Sequence, residues 1–183
     1  MSFISMIIFF TLCVAAVGNH LTIEEAKQLL STSEKMWMIQ RSSIRYGNKG
    51  AISCVNVRKI NVVDAYGDRY TYDYSHKEGE TWVNTHIYVT PLQGTEDDGD
   101  PIIDVSREKD ESEKQYRLRF WDLGQHCAIL TISSTEYGGT VCEMYQWENN
   151  IQAEVPYSCD SKFDELCPHQ KHAVNKHCFT STG

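Results

Sequence analysis

The cysteines are the feature that most constrains how this chain can fold. Five of the seven fall in its last third, at Cys127, Cys142, Cys159, Cys167 and Cys178. The final three lie beyond Trp147, in a segment whose pattern is helical, whereas the sequence before Trp147 reads as short strands and turns. This distribution predicts a sheet or barrel whose C-terminal arm is disulfide-bonded to its outer surface.

The N-terminal segment indicates secretion. Residues 1–18 contain no charged side chain, and their apolar run of about 14 residues is shorter than the roughly 18 that a membrane span requires. We therefore expect residues 1–18 to be a cleaved signal peptide and residues 19–183 to form a single domain. Cleavage would remove Cys13 and leave six cysteines, which in a secreted chain predict three disulfides. Spacing alone does not decide how the six are paired.

The order of predicted elements points to an all-β fold. The capping-box pattern from Thr22 to Glu25 predicts a short helix that ends near Leu30. From Lys35 the apolar pattern has a period of two, typical of strands. Eight strands are predicted, at 35–43, 51–63, 69–75, 81–90, 102–106, 114–121, 126–133 and 140–147.

The region after the last strand predicts a second helix. Asp160 is in a position to cap it, Phe163, Leu166 and Cys167 would share one face, and Pro168 would end it. Eight antiparallel strands close well into a barrel that can hold one small ligand, and a β-sandwich is the structural alternative. We expect an eight-stranded antiparallel barrel with a short N-terminal helix and a C-terminal helix packed outside it.

The cysteines also predict which strand faces point into the barrel. If Cys142 pairs with a cysteine on the outer helix, strand alternation turns Glu143 and Tyr145 inward. A carboxylate inside a barrel needs an arginine, a cluster of donors or a cationic ligand, because a buried unpaired charge is costly. An internal salt bridge and a solvated position at the barrel mouth remain the alternatives to a ligand contact for Glu143.

Several function classes are disfavoured by the sequence. The formal net charge of −8 disfavours nucleic acid and anionic membranes as partners. Gly-x-Ser-x-Gly, Cys-x-x-Cys and phosphate-loop motifs do not occur, so we expect neither an enzyme nor a bound cofactor. His169, His172 and His177 lie close together in sequence, but Pro168 beside them and the lack of a fixed carboxylate argue against a metal site.

Parts of the chain resemble a known family. The strand Cys142-Glu143-Met144-Tyr145, the helix segment Lys162-Phe163-Asp164-Glu165 and the strand Met36-Trp37-Met38-Ile39 are similar to segments of the tick salivary lipocalins, also called the tick histamine-binding protein family. The cysteine layout, including Cys178, accounts for most of the resemblance, which covers essentially all of residues 19–183.

This resemblance implies a fold, a disulfide pairing and a function. It implies a lipocalin barrel with the pairs Cys54–Cys178 and Cys127–Cys159, which leaves Cys142–Cys167 as a third bridge similar to that of the japanin-like members. It also implies a monomeric salivary protein that binds a small host mediator and so dampens host inflammation and immunity. The chain departs from the histamine binders between residues 43 and 51, where it has Arg45 and Lys49 and no carboxylate.

Two ligand classes fit the sequence about equally. A biogenic amine such as histamine or serotonin needs a carboxylate and aromatic faces, for which the candidates are Glu143, Tyr145, Trp82, Tyr70, Tyr72 and Trp37. A lipid such as cholesterol or a leukotriene needs an apolar lumen, for which the candidates are Val55, Val57, Leu118, Phe120, Leu130 and Ile132. A third hypothesis is a host protein held by loops at the barrel mouth, such as 94–100 and 107–113.

The disulfide pairing implied by the resemblance can be tested on the secreted protein. Proteolysis without reduction, followed by mass spectrometry, should yield three cross-linked peptide pairs that join Cys54 to Cys178, Cys127 to Cys159 and Cys142 to Cys167. A free thiol at Cys142 or Cys167 would remove the argument that Glu143 faces inward.

Overall fold

The computed structural model describes residues 20–60, 69–95, 99–109, 111–134, 139–151, 155–168, 171–173 and 178. The expected signal peptide and the histidines at 169 and 177 lie outside these residues. None of the described helices is long and apolar enough to cross a membrane.

Two helices, a short 3-10 turn and ten strands make up the described structure. The helices are α1 (Ile23–Ser31) and α2 (Tyr157–Leu166), and the 3-10 turn is Glu148–Asn150. The strands are β1 (Met36–Arg41), β2 (Tyr46–Gly47), β3 (Gly50–Ile60), β4 (Tyr70–Glu78), β5 (Thr81–Leu92), β6 (Ile102–Ser106), β7 (Lys114–Asp122), β8 (Cys127–Ser134), β9 (Gly139–Trp147) and β10 (His172–Ala173).

Eight of these strands close into an antiparallel barrel, as the sequence predicts. From β3 to β9 each strand pairs with its neighbour in the chain, and β1 completes the barrel by pairing with both β9 and β3. The two remaining strands are short additions at either end of this sheet, where β2 pairs with β3 and β10 pairs with β1. Because β1 pairs with both the first and the last of these strands, the fold is a barrel and not a sandwich.

The helix α1 covers one end of the barrel. Thr22 and Glu25 form the predicted capping box, and Ala26, Leu29 and Leu30 are buried on the side of the helix that faces the barrel. The hydroxyl of Tyr72 donates a 2.7 Å hydrogen bond to the carbonyl oxygen of Leu30 and so ties the helix to β4. This end of the barrel is therefore closed, and the mouth lies at the opposite end.

The helix α2 packs against the outside of the barrel. Disulfides join it to β8 through Cys127–Cys159 and join its C-terminal end to β9 through Cys142–Cys167. Phe163 is fully buried in the cluster between these bridges. The helix begins earlier than predicted, at Tyr157, because Pro156 precedes it with a backbone already near helical φ. Asp160 is therefore inside the first turn and does not cap the helix.

The third disulfide lies where the barrel closes. Cys54 on β3 is bonded to Cys178, and both pack against Trp37 of β1. Only Met36 and Trp37 pair with β3, after which β1 continues beside β9 on one side and β10 on the other. The three observed bridges are the pairs implied by the family resemblance.

Irregularities in two strands change which side chains face inward. The register of β3 shifts between Ser53 and Asn56, with Cys54 at a φ of 52°, and Ile52 faces the lumen. The register of β7 shifts between Leu118 and Phe120. Leu118 packs inside the barrel as predicted, but Phe120 packs outside against the α2 cluster, so its predicted lumen position is wrong.

Removal of the Phe163 ring should strongly destabilise the attachment of α2. We expect Phe163→Ala to lower the free energy of unfolding by about 3–5 kcal/mol, because the ring is completely buried beside two disulfides. Chemical denaturation monitored by circular dichroism measures the change. Tyr157→Ala is the matched control in the same helix, since Tyr157 is 86% exposed and should cost less than about 0.5 kcal/mol. Equal losses in the two variants would contradict the described packing.

Candidate ligand-binding site

The barrel encloses a cavity of about 530 Å³, a size that suits one small ligand. Leu29 and Leu30 of α1 form its floor, and the walls come from the inward-facing residues of all eight barrel strands. Most of this wall is aliphatic. The apolar lining consists of Leu29, Leu30, Met36, Ile52, Val57, Val83, Ile87, Val89, Ile103, Val105, Ala128 and Leu130.

Four tyrosines are among the polar residues that line the cavity. Tyr72 lies near the floor, while Tyr74, Tyr116 and Tyr145 lie higher in the barrel. Burial, together with the nearby charge of Glu143, raises the pKa of Tyr74 to about 12 and raises the pKa values of Tyr116 and Tyr145 above their ordinary range. These phenols therefore remain protonated and can donate or accept hydrogen bonds at physiological pH.

An ion pair lies beside three of these tyrosines. The carboxylate of Glu143 is 1% exposed, and its Oε1 lies 2.7 Å from Nη2 of Arg45. Its Oε2 accepts a 3.0 Å hydrogen bond from the hydroxyl of Tyr145. Nη1 of Arg45 donates a longer hydrogen bond, 3.4 Å, to the hydroxyl of Tyr116. The internal salt bridge, one of the alternatives left open by the sequence, is therefore what the structure contains.

Local backbone contacts explain why Arg45 reaches Glu143. Arg45 lies in the connection between β1 and β2, and this connection begins with a double hydrogen bond between Ser42 and the backbone of Cys142, adjacent to Glu143. Farther along, the carbonyl oxygen of Arg45 accepts a 2.8 Å hydrogen bond from the backbone N–H of Ile52. The loop is thus attached to both β9 and β3, which directs the Arg45 side chain into the cavity.

The ion pair fixes the charge state of Arg45. Burial by itself would lower the pKa of Arg45, but the charge of Glu143 and the contact with Tyr116 raise it by more, so its pKa lies above the ordinary value. The guanidinium therefore stays protonated and compensates the buried carboxylate.

The two carboxylates that line the cavity, Glu78 and Glu113, lie toward the mouth and also have partners. Oε1 of Glu78 lies 3.4 Å from Nε2 of His76, and its Oε2 accepts a hydrogen bond from the backbone N–H of Lys49. Glu113 binds Nε of Arg107 through both carboxylate oxygens at 3.0 Å. Among the described lining residues, each carboxylate thus has a donor from the protein itself.

The structure brings together only part of the predicted site. Tyr145 and Tyr72 line the cavity, although the hydroxyl of Tyr72 is already bonded to Leu30. Glu143 faces inward but is covered by Arg45. Tyr70 packs against the inner core near α1 and is not part of the cavity lining.

Two predicted aromatic residues lie outside the barrel and are corrections to the sequence analysis. Trp82 is 42% exposed and pairs across the outer face with Lys77, because strand alternation turns Val83 inward. Trp37 packs against the Cys54–Cys178 disulfide, and its indole N–H donates a hydrogen bond to Glu148.

The loop at residues 94–100 is a third correction. Its described residues, 94–95 and 99–100, lie on the side of α1, where Asp100 is 3.5 Å from His20, and therefore at the closed end and not at the mouth. Arg107 and Glu113, between β6 and β7, lie at the mouth, as predicted.

The most important residue that sequence reasoning missed is Arg45. The sequence identifies Arg45 only as a departure from the histamine binders. The direction of its side chain cannot be inferred, because a loop residue has no strand alternation. Tyr116 was missed as well. It shares the inner face of β7 with Leu118, and the alternation of that strand could have identified it.

Comparisons with known proteins agree with this architecture. The structure is similar to a crystal structure described as a serotonin complex of AM182, with a TM-score of 0.59 and 16% identity over 84% of this chain and 91% of that chain. It is also similar to the siderocalin Ex-FABP, with a TM-score of 0.52 and 13% identity over 79% and 93% of the two chains. Apocrustacyanin C2 gives a TM-score of 0.51 at 9% identity over 84% and 86%.

At these identities the structural matches establish the fold alone, and no curated protein matches the sequence. A family model described as tick histamine binding protein matches residues 19–182, which is nearly the whole chain. The small-molecule cavity of a lipocalin barrel and the match over this length lead to one conclusion: the chain belongs to the tick histamine-binding protein family.

Proposed function

We propose that this protein is a secreted salivary lipocalin that sequesters a small, mainly apolar host mediator in its barrel and so dampens host inflammation and immunity. The ligand class that the cavity fits best is a lipid or sterol with an oxygen-bearing polar end. The observation that favours this class over an amine is the Arg45–Glu143 ion pair, since the buried carboxylate is already neutralised by the protein.

The cavity wall supports the same ligand class. Transfer of a hydrocarbon chain or ring system from water to the aliphatic wall is favourable by roughly 25 cal/mol per Å² of apolar surface buried. A polar end placed near Tyr116, Tyr145 and Arg45 would meet hydroxyl groups and guanidinium N–H groups that can donate to oxygen. The aliphatic wall therefore suits the apolar part of a lipid, and the hydroxyl and guanidinium donors suit its polar end.

Secretion is supported by the three disulfides, which are typical of proteins that fold in oxidising compartments. The signal peptide at residues 1–18 remains a prediction. A monomeric state is likewise proposed from the family resemblance.

A biogenic amine is the second candidate. The family description names histamine, and one protein of similar fold was crystallised with serotonin. Glu78 and Glu113 near the mouth would be the carboxylates to consider, but each would have to exchange a protein partner for the ammonium group.

The ligand class can be tested directly. The mature protein should be examined by native mass spectrometry for a co-purified ligand and then titrated calorimetrically with cholesterol, a leukotriene, serotonin and histamine. We expect micromolar or tighter binding of a lipid and weaker binding of both amines. Tighter binding of an amine would overturn the lipid proposal. Absence of binding by all four would contradict sequestration and favour an effector that binds a host protein through its mouth loops.

A matched pair of variants tests whether the barrel cavity is the site. We expect Leu130→Trp to reduce affinity for the bound lipid at least about tenfold, because the larger side chain would occupy space in the cavity. Trp82→Ala removes an aromatic side chain from the outer face and should leave the affinity unchanged. Calorimetry on both variants measures this, and an unchanged affinity in Leu130→Trp would place the ligand elsewhere.

A further inference from the structure

If the barrel cavity is the binding site, as in the proposed function, the groups beside Glu143 decide which charge a ligand can carry. We propose that Arg45 is a tethered cation that occupies the position beside Glu143 where a ligand's ammonium group would otherwise bind. In this role Arg45 is the specificity-determining residue that excludes amines and presents N–H donors to an oxygen of the ligand.

The burial of Glu143 supports this role of Arg45. The carboxylate is 1% exposed, so a cation or several hydrogen-bond donors must accompany it. Among the described residues, the cation within salt-bridge distance is Arg45, and the hydrogen-bond donor is the hydroxyl of Tyr145. Removal of Arg45 would therefore leave a buried carboxylate that faces the cavity with one phenol donor.

The geometry of the ion pair also supports this role. Although Arg45 lies 2.7 Å from Oε1 of Glu143, that oxygen accepts no well-aligned hydrogen bond from the described residues. The ammonium group of a ligand has freely rotating donors and could align with this oxygen. Glu143 is therefore chemically suited to a cation other than the one that it holds.

The position of Arg45 in a loop supports this role as well. Glu143 and Tyr145 belong to the barrel wall, but Arg45 comes from the loop between β1 and β2 and lines the cavity with a side chain 20% exposed. Removal of its charge therefore changes the surroundings of Glu143 without altering a residue of the barrel wall.

Three tyrosines lie near Glu143, as aromatic side chains do in sites that bind organic cations. Tyr74, Tyr116 and Tyr145 lie close enough to Glu143 for its charge to raise their pKa values, so the carboxylate is surrounded by neutral aromatic side chains. A carboxylate with aromatic neighbours is the environment that binds an organic ammonium group. In the native chain the guanidinium of Arg45 fills this environment, and an amine placed there would meet a like charge.

The direct test removes the charge of Arg45 and keeps most of its volume. We expect Arg45→Met to increase affinity for serotonin or histamine at least about tenfold over the native protein, measured by calorimetry. The double variant Arg45→Met with Glu143→Gln should lose this gain, because the carboxylate is then absent. Arg45→Lys retains a tethered cation and should show no gain.

A second variant protects the test against a folding defect in Arg45→Met. In Glu143→Gln the cation is retained and its carboxylate partner is removed, so Arg45 becomes more attractive to an anionic ligand. Oleic acid and oleyl alcohol are matched probes that differ at the head group, and both can be measured by displacement of N-phenyl-1-naphthylamine. We expect the preference for the acid over the alcohol to rise at least about threefold relative to the native protein.

Different results would reject the role of Arg45 and the proposed lipid ligand. A folded Arg45→Met that gains no amine affinity would overturn the role of Arg45, as would native protein that binds serotonin with an affinity unaffected by Arg45→Met. If Arg45→Met does not fold, an unchanged acid preference in Glu143→Gln overturns the role. Failure of the native protein to bind lipid would reject the proposed lipid ligand, whereas an amine gain in Arg45→Met would still support the role of Arg45.

Discussion

Closure of the barrel through β1 is the constraint on which the rest of the structure depends. Only two residues of β1 pair with β3 before the strands separate, so this junction is the shortest in the wall. The Cys54–Cys178 disulfide and the buried ring of Trp37 lie at this junction, and β10 pairs with β1 just beyond it. A disulfide that spans 124 residues strongly limits the unfolded chain, which is the model usually given for such stabilisation. The C-terminal arm thus reinforces the barrel where its hydrogen-bonded pairing is shortest.

The separation of β1 from β3 also determines the chemistry of the cavity. Because β1 leaves β3 after Trp37, its connection to β2 lies beside the barrel mouth, and its attachment to Cys142 and Ile52 directs Arg45 inward. The guanidinium then meets Glu143, which the alternation of β9 places inside. The junction that the arm reinforces is therefore linked through this loop to the Arg45–Glu143 ion pair.

The two disulfides of α2 have a different consequence. By holding the helix on the outer face of β8 and β9, they require Cys127 and Cys142 to point outward, and this turns Leu130 and Tyr145 toward the cavity. The buried cluster around Phe163 fills the space between helix and wall. The outer helix therefore contributes to the site without contacting it, because it fixes the orientation of the strands that form part of the lining.

Local patterns in the sequence determined the eight strands of the barrel and the two helices, and alternation with cysteine position determined the inward direction of Glu143 and Tyr145. They could not determine where that period is interrupted. Register shifts in β3 and β7 brought Ile52 inward and turned Phe120 outward, and only the structure shows that Trp82 lies on the outer face of β5. Only the tertiary structure revealed the partner of Glu143, because Arg45 lies nearly 100 residues away in a loop, where direction is set by contacts with other strands and not by any repeat in the sequence.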